Sequence, residues 1–205
     1  MKILLASGNK KKHAEFTRIL APLGIEVLLP ASVGGIPDVD EDRPTFAGNA
    51  AKKATSAALA HGMWALADDS GLEVDALGGE PGVKSARYAG EHGADGANNA
   101  LLLHKLAGVP DERRTARFTC ALALSAEDGR IVVEVQGHAY GRILHGPRGD
   151  GDFGYDPLFL FTEPGFAQTG RGFAELAPEE KALVSHRGRA SRELVARLQS
   201  LRAPR

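Results

Sequence analysis

Cysteine is all but missing from these 205 residues, with Cys120 the single example. One thiol can neither close a disulfide within the chain nor build a cysteine metal cage, and its solitude fits a reducing compartment. It sits in the run Phe118 to Leu124, where a packed core thiol is the expected role. Long hydrophobic runs are missing too. No stretch approaches the length of a membrane-spanning helix, and Met1 to Ala6 is too short for the apolar region of a signal peptide. An excess of charge of either sign is also absent: 25 Lys and Arg stand against 26 Asp and Glu. No global field therefore draws the chain to nucleic acid or to an anionic membrane, and any anionic ligand must be held by a local cluster. The seven histidines form no close pair at metal-ligand spacing, which argues against zinc. Without repeats or low-complexity linkers, the chain reads as one cytoplasmic domain over residues 1–205, with 43% hydrophobic residues to build its core.

The order of elements is that of an α/β protein. Ile3 to Ala6 predicts a strand broken by Ser7-Gly8-Asn9, and Phe16, Ile19, Leu20 and Leu23 then recur at helical spacing until Gly24. Ile25 to Leu29 predicts a second strand. A loop from Pro30 to Pro44 leads to Thr45, an N-cap for an Ala-rich helix running towards His61-Gly62. Trp64 to Ala67 predicts a strand that ends in Asp68-Asp69, with Ser70-Gly71 as a turn. Gly78 to Gly96 reads as a long loop, and Leu101 to Leu106 as part of a helix closed by Gly108. From Arg117 the period changes to two, Glu127-Asp128-Gly129 turns the chain, and Ile131, Val133 and Val135 return, a hairpin that makes the sheet mixed. Pro157 to Phe161 is a short strand, followed by an irregular segment. A last helix carries the stripe Ala190, Leu194, Leu198, Leu201.

Adjacent Asp68 and Asp69 are the most informative pair. Ligands of open α/β sheets bind at the carboxyl ends of strands, and two like charges so close need a cation, a shared proton or solvent. A solvated loop is the plain alternative. Ser7-Gly8-Asn9-Lys10-Lys11-Lys12 places amide groups and three ammonium groups at a helix start, a place that favours anions, although the P-loop pattern is not met. Asn49 and Lys53 share a face of the next helix. Asp38, Asp40, Glu41 and Asp42 concentrate acid upstream, and with the Asp pair could furnish the oxygen ligands that Mg²⁺ takes. Gly151-Asp152-Phe153-Gly154-Tyr155-Asp156-Pro157 joins aromatic rings and acids, suited either to a nucleobase or to a tight turn. Lys181 and Ser185-His186-Arg187 add cations, with Ser185 a reasonable N-cap. Singly each cluster is ambiguous; together they supply phosphate cations, hard metal ligands and a base platform.

The chain also resembles a known family, the inosine/xanthosine triphosphate pyrophosphatases of the Ham1-like group. The resemblance is carried in order by Ser7 to Lys12, Thr45-Phe46 with Asn49-Ala50 and Lys53-Ala54, Ala67-Asp68-Asp69-Ser70-Gly71-Leu72, Leu77-Gly78-Gly79 with Pro81-Gly82 and Ser85-Ala86-Arg87-Tyr88, Phe153 to Pro157, Glu179-Glu180-Lys181, and Ser185-His186-Arg187. It implies a long mixed β-sheet flanked by helices, two lobes with the nucleotide cleft between them, and a homodimer. It implies Mg²⁺-dependent hydrolysis of ITP, dITP or XTP to the monophosphate and pyrophosphate. By position, Asp69 is then the general base and a metal ligand, with Asp68 and Glu41 as acidic partners and Glu41 or Asp40 as the second acidic ligand. Ser7, Gly8, Asn9, Lys10, Lys11, Lys12, Asn49 and Lys53 would hold phosphates, and Ser70 would touch substrate. Phe153, Gly154, Tyr155, Asp156, Lys181, His186 and Arg187 would surround base and sugar. Gly48 departs from the Glu or Gln common in the family three residues after the cap, so a weaker start of that helix is expected. Two other readings stay open: a nucleotide-binding regulatory protein without chemistry, and a Maf-like pyrophosphatase preferring pyrimidine or modified nucleotides.

Overall fold

The structure is a computed structural model that describes residues 1–151 and 153–202, so Asp152 of the aromatic-acid turn lies outside the described residues. Among the described residues six strands and five α-helices follow in the order β1 (Lys2–Leu5), α1 (Lys10–Leu20), β2 (Glu26–Leu28), α2 (Phe46–His61), β3 (Ala65–Val74), α3 (Asp95–Lys105), β4 (Thr115–Ser125), β5 (Ile131–Ile143), β6 (Phe159–Phe161), α4 (Pro178–Val184) and α5 (His186–Arg202). The strands form one mixed sheet in the order β2-β1-β3-β4-β5-β6. β1 runs parallel to β2 and β3, with Leu4 opposite Ala65 and Leu5 opposite Leu66, while β5 and β6 are antiparallel. Parallel neighbours need a crossover, and α1 and α2 supply it. Among the described residues no helix is long and apolar enough to cross a membrane.

Local chemistry places the helix ends where the sequence suggests. Asn9 caps α1 by accepting from the N–H groups of Lys11 and Lys12, and Thr45 caps α2 by accepting from Gly48 N–H. Gly62 closes α2 at φ 58°, a left-handed position that suits a residue without a side chain. α2 thus forms from Phe46 despite the missing capping-box acid. Ser185 caps α5 through Gly188 N–H. α4 occupies part of the segment expected to be irregular, because Pro178 is favourable in a first turn and Glu180 reaches back to Ala177 N–H. Leu201 is exposed, so the buried stripe of α5 ends at Leu198.

The chain divides into two compact units. The first comprises Met1–Asp69, Cys120–Gly137 and the residues from Ala190; the second comprises Ser70–Thr119 and His138–Arg189. In the first, Ile3, Leu5, Phe16, Leu20, Leu66, Cys120, Leu122, Leu124, Leu194 and Leu198 share a core. In the second, Leu72, Val74, Leu102, Phe118, Ile143, Phe159, Phe161 and Phe173 form another. Cys120 is therefore a core thiol, as expected.

One expectation is corrected. Asp68 and Asp69 do not end a strand: β3 continues through Ser70 and Gly71 to Val74. The continuation is driven by burial of Leu72 and Val74, and the missing side chain of Gly71 lets Ser85 pack against the strand. What ends near the acids is β1, whose last ladder bond runs from Ala6 N–H to Leu66 C=O. The carboxylates thus lie just past the carboxyl end of the parallel neighbour. A methyl group at Gly71 would approach Ser85 Cβ to 2.8 Å and Gly82 C=O to 2.9 Å, closer than carbon contacts tolerate. Gly71→Ala should therefore destabilise the protein by about 1–3 kcal/mol in urea unfolding, the usual size of an overpacking defect.

The second unit also carries a polar network on the sheet. Glu73 accepts from Arg117 Nε at 2.8 Å and from Thr119 Oγ1 at 2.6 Å, and Thr119 Oγ1 lies 3.1 Å from His138 Nδ1. Because the threonine's one proton goes to Glu73, Nδ1–H of His138 must donate to it. Arg117 holds the Glu73 carboxyl below its usual value, and burial followed by the charges of Arg117 and Arg189 holds the His138 imidazole below its usual value. The unfolded chain therefore protonates at His138 first as pH falls, and folding stability declines from about pH 6.5 downward on this account. Urea midpoints measured from pH 7 to 5 should fall less steeply in His138→Gln than in the wild type.

Candidate active site

Adjacent residues of a strand face opposite sides, and this separates the two aspartates. Asp68, 2% exposed, receives the ammonium of Lys12 from α1. Asp69, 8% exposed, faces α2, where Lys53 Nζ lies 3.0 Å from Oδ1 and Asn49 Nδ2 lies 3.3 Å from Oδ2. Asn49 is itself held, accepting from Arg43 N–H at 3.0 Å. Lys53 and Asn49, four residues apart, share one face of α2 and grip the two oxygens of one carboxylate. Lys53 also donates to Glu41 Oε1 at 2.8 Å. Asp40 is exposed, and its backbone C=O accepts from Lys52, so Glu41 is the upstream acid that joins Asp69.

The electrostatics follow from this geometry. Burial raises the pKa of Asp69 and the like charge of Glu41 adds to it; Lys53 and Asn49 oppose, and the carboxyl ends above its usual value. Burial disfavours the charged form of Lys53, yet Asp69 and Glu41 together outweigh it and hold the ammonium above the ordinary lysine value. Among the described residues no three His, Cys, Asp or Glu side chains gather at metal-binding distances. Two carboxylates that already converge on one cationic group nonetheless fit Mg²⁺, which is commonly held by one or two protein carboxylates with water and phosphate oxygens filling its other positions.

The start of α1 uses its predicted residues unevenly. Asn9 Oδ1 is committed to capping, Ser7 Oγ accepts from Asn9 N–H, Gly8, Lys10 and Lys11 are exposed, and Lys12 turns inward to Asp68.

The remaining predicted residues belong to the second unit. Arg187 Nη2 lies 3.2 Å from Ser70 Oγ. Lys181 is paired with buried Asp156, whose carboxyl burial pushes up while Lys181 and Arg187 pull it down, leaving it above the usual value. The Lys181 ammonium also stands 5.6 Å from the ring centroid of Phe153, which is 42% exposed. His186 is buried and stacked on Phe118 with centroids 4.8 Å apart. Tyr155 differs from Phe153: it is 5% exposed and its hydroxyl donates to Ser85 C=O at 2.9 Å, so its ring belongs to the core. The structure thus brings Lys12, Glu41, Asn49, Lys53, Asp68 and Asp69 together in one unit, and Ser70 with Arg187, and Phe153, Asp156 and Lys181, in the other.

The family model described as Ham1 family matches residues 3–197. The chain belongs to the Ham1 family. Curated relatives support that assignment: a dITP/XTP pyrophosphatase of Desulforamulus reducens is 50% identical over 201 residues, covering 98% of this chain and 97% of its own. One of Aromatoleum aromaticum is 51% identical over 197 residues, covering 96% of each chain. Among solved structures, the Ham1 protein of Staphylococcus aureus superposes with a TM-score of 0.88 at 37% identity, covering 98% of this chain and all of that one. A HAM1 protein from Coxiella burnetii gives 0.88 at 39% identity, covering 98% of this chain and 99% of that one.

Three polar residues of this Ham1 chain escape sequence reading. Asn98 accepts from Ala89 N–H at 2.8 Å, Asp95 accepts from Gly154 N–H at 2.9 Å, and Asn99 donates to Gly154 C=O at 2.9 Å. Asp95 falls at the end of the Gly78 to Gly96 segment that reads as a loop and Asn98 and Asn99 just beyond it, and the i, i+4 spacing of Asp95 and Asn99 is the one signal of a helical face. The Lys53 cluster lends itself to a stability test. Lys53→Met leaves Glu41 and Asp69 facing each other without their cation and should destabilise the protein by about 1–3 kcal/mol in urea, less than the loss of a fully buried partner because the lysine side chain is 16% exposed.

Proposed function

We propose that this chain hydrolyses the α–β phosphate anhydride of ITP, dITP and XTP, releasing the monophosphate and pyrophosphate and clearing these nucleotides from the pool. The observation that carries the reading is the grip on Asp69 by Lys53 and Asn49 beside Glu41, within a family whose relatives at half identity bear the name dITP/XTP pyrophosphatase. Asp69, its proton affinity raised by burial, takes a proton from the attacking water, and Asn49 and Lys53 keep its oxygens oriented. Glu41 and Asp69 would hold Mg²⁺, which supplies neutralisation of phosphate charge when bound. Lys53, Lys12 and the start of α1 from Ser7 to Lys11 bind the phosphates and the departing pyrophosphate. Asp68 acts through Lys12, fixing its ammonium, and so is a positioning residue.

Phe153 offers the exposed ring for the base, with Gly154, Tyr155 and Asp156 shaping its turn, and Lys181, His186, Arg187 and Ser70 supplying donors to base and sugar. Hypoxanthine and xanthine present a 6-oxo acceptor where adenine presents an amino donor. A site built for the acceptor leaves a buried group unpaired with adenine, a difference worth on the order of 10⁴ in selectivity at most. The reading extends to a cytoplasmic homodimer built from a single nucleotide-hydrolysing domain, in keeping with the family resemblance.

With Mg²⁺ present, pyrophosphate should be released from ITP, dITP and XTP in preference to GTP, ATP, dTTP and UTP. Stepwise release of orthophosphate would overturn the reaction, and a preference for dTTP or UTP would move the chain to the Maf-like class. Asp69→Asn should lower kcat by roughly 10² to 10⁴, the range for loss of a general base, while the circular-dichroism melt stays cooperative. A fully active variant removes Asp69 from the mechanism.

A further inference from the structure

The turn that presents Phe153 is held from outside. Gly154 has φ 56°, a left-handed backbone that glycine adopts without strain, and hydrogen bonds from another element select it. Its peptide groups are gripped from both sides by α3: its N–H donates to Asp95 Oδ2 and its C=O accepts from Asn99 Nδ2, both at 2.9 Å. Asp95 opens α3 and Asn99 follows four residues later, so one helical face carries both halves of the grip. The same helix turn, through Asn98, holds Ala89 N–H, and Tyr155 anchors the other side of Gly154 through Ser85 C=O. The amide oxygen of Asn99, by contrast, is buried without a hydrogen-bond partner. A buried unmatched acceptor opposes folding, so an amide at this position points to a use for its donor.

We infer that Asp95 and Asn99 are positioning residues for base selection, acting through the Gly154 peptide to fix the direction in which the Phe153 ring is presented. The inference rests on the proposed function, in which Phe153 meets the base. Neither residue touches the reacting phosphates in this account. Loss of the clamp should therefore weaken binding and discrimination and leave the chemical step nearly intact. The chemistry selected is that of a planar purine base held on an aromatic ring, with the ring's orientation deciding whether a 6-oxo group meets its donors.

The test compares ITP and ATP turnover in the full chain. Asp95→Ala and Asn99→Asp, the latter placing a carboxylate against the Gly154 carbonyl, should raise the KM for ITP about tenfold, the scale of one lost hydrogen bond, with kcat little changed. The ITP-to-ATP ratio of kcat/KM should narrow. Asp95→Asn keeps an oxygen that can accept from Gly154 N–H and should restore both values. A double-mutant cycle supplies the reading that a merely structural role would not move: in a Phe153→Ala background, Asp95→Ala should add nothing further to KM. Additive effects, an unchanged ITP-to-ATP ratio, or a fall in kcat at constant KM would overturn the inference. Should Asp95→Ala or Asn99→Asp unfold, Asn99→Ser in the same cycle decides it by the same criteria. A wild-type protein that releases no pyrophosphate from ITP defeats instead the reading on which the inference rests, whereas an active wild type with indifferent variants defeats the inference alone.

Discussion

Two carboxylates buried at successive positions of one strand must each be neutralised, and much of the first unit is arranged around that need. Strand geometry sends them to opposite faces, so one cation cannot serve both. α1 supplies Lys12 to Asp68 and α2 supplies Lys53 to Asp69. Each crossover helix thus delivers one lysine to the strand beside β1. The parallel arrangement of β1, β2 and β3, packed by its apolar core, is what brings both helices' lysines to the acids.

The same arrangement divides labour between the acids. Asp68 pairs with the ammonium of Lys12 from α1. Asp69 shares Lys53 with Glu41, so its cation is divided between two negative charges while burial favours its protonated form. A carboxylate in that condition is a better proton acceptor than a freely solvated one. In the second unit the aromatic rings of the predicted site and its surroundings divide too: Tyr155 and Phe118 are built into the core, whereas Phe153, like Tyr140 and Phe166, keeps an exposed ring.

Much of the fold was legible in the residues. Asn9, Thr45 and Ser185 announced helix starts, Gly24 and Gly62 announced stops, and the period-two run after Arg117 announced the hairpin, because capping and pleating are local chemistry. The misreadings have a common cause. Ser70-Gly71 looked like a turn because small polar residues favour turns in isolation, yet Leu72, Val74 and the close approach of Ser85 hold them extended. Asp95 and Asn99 cannot be read as a clamp from the chain, since their partner, Gly154, lies more than fifty residues away.

From its sequence alone this protein's residue inventory was determined: the acidic pair, the basic helix start, the aromatic-acid turn, and their order along an α/β chain that resembles one family. Only the tertiary structure decided which acid meets which lysine, that Glu41 and not Asp40 joins Asp69, and that Phe153 and not Tyr155 keeps an open ring. Inventory is a property of the chain, and spacing reports faces within one element. Pairing across elements depends on how helices register against a sheet, and that is set by packing and burial, which no local pattern encodes.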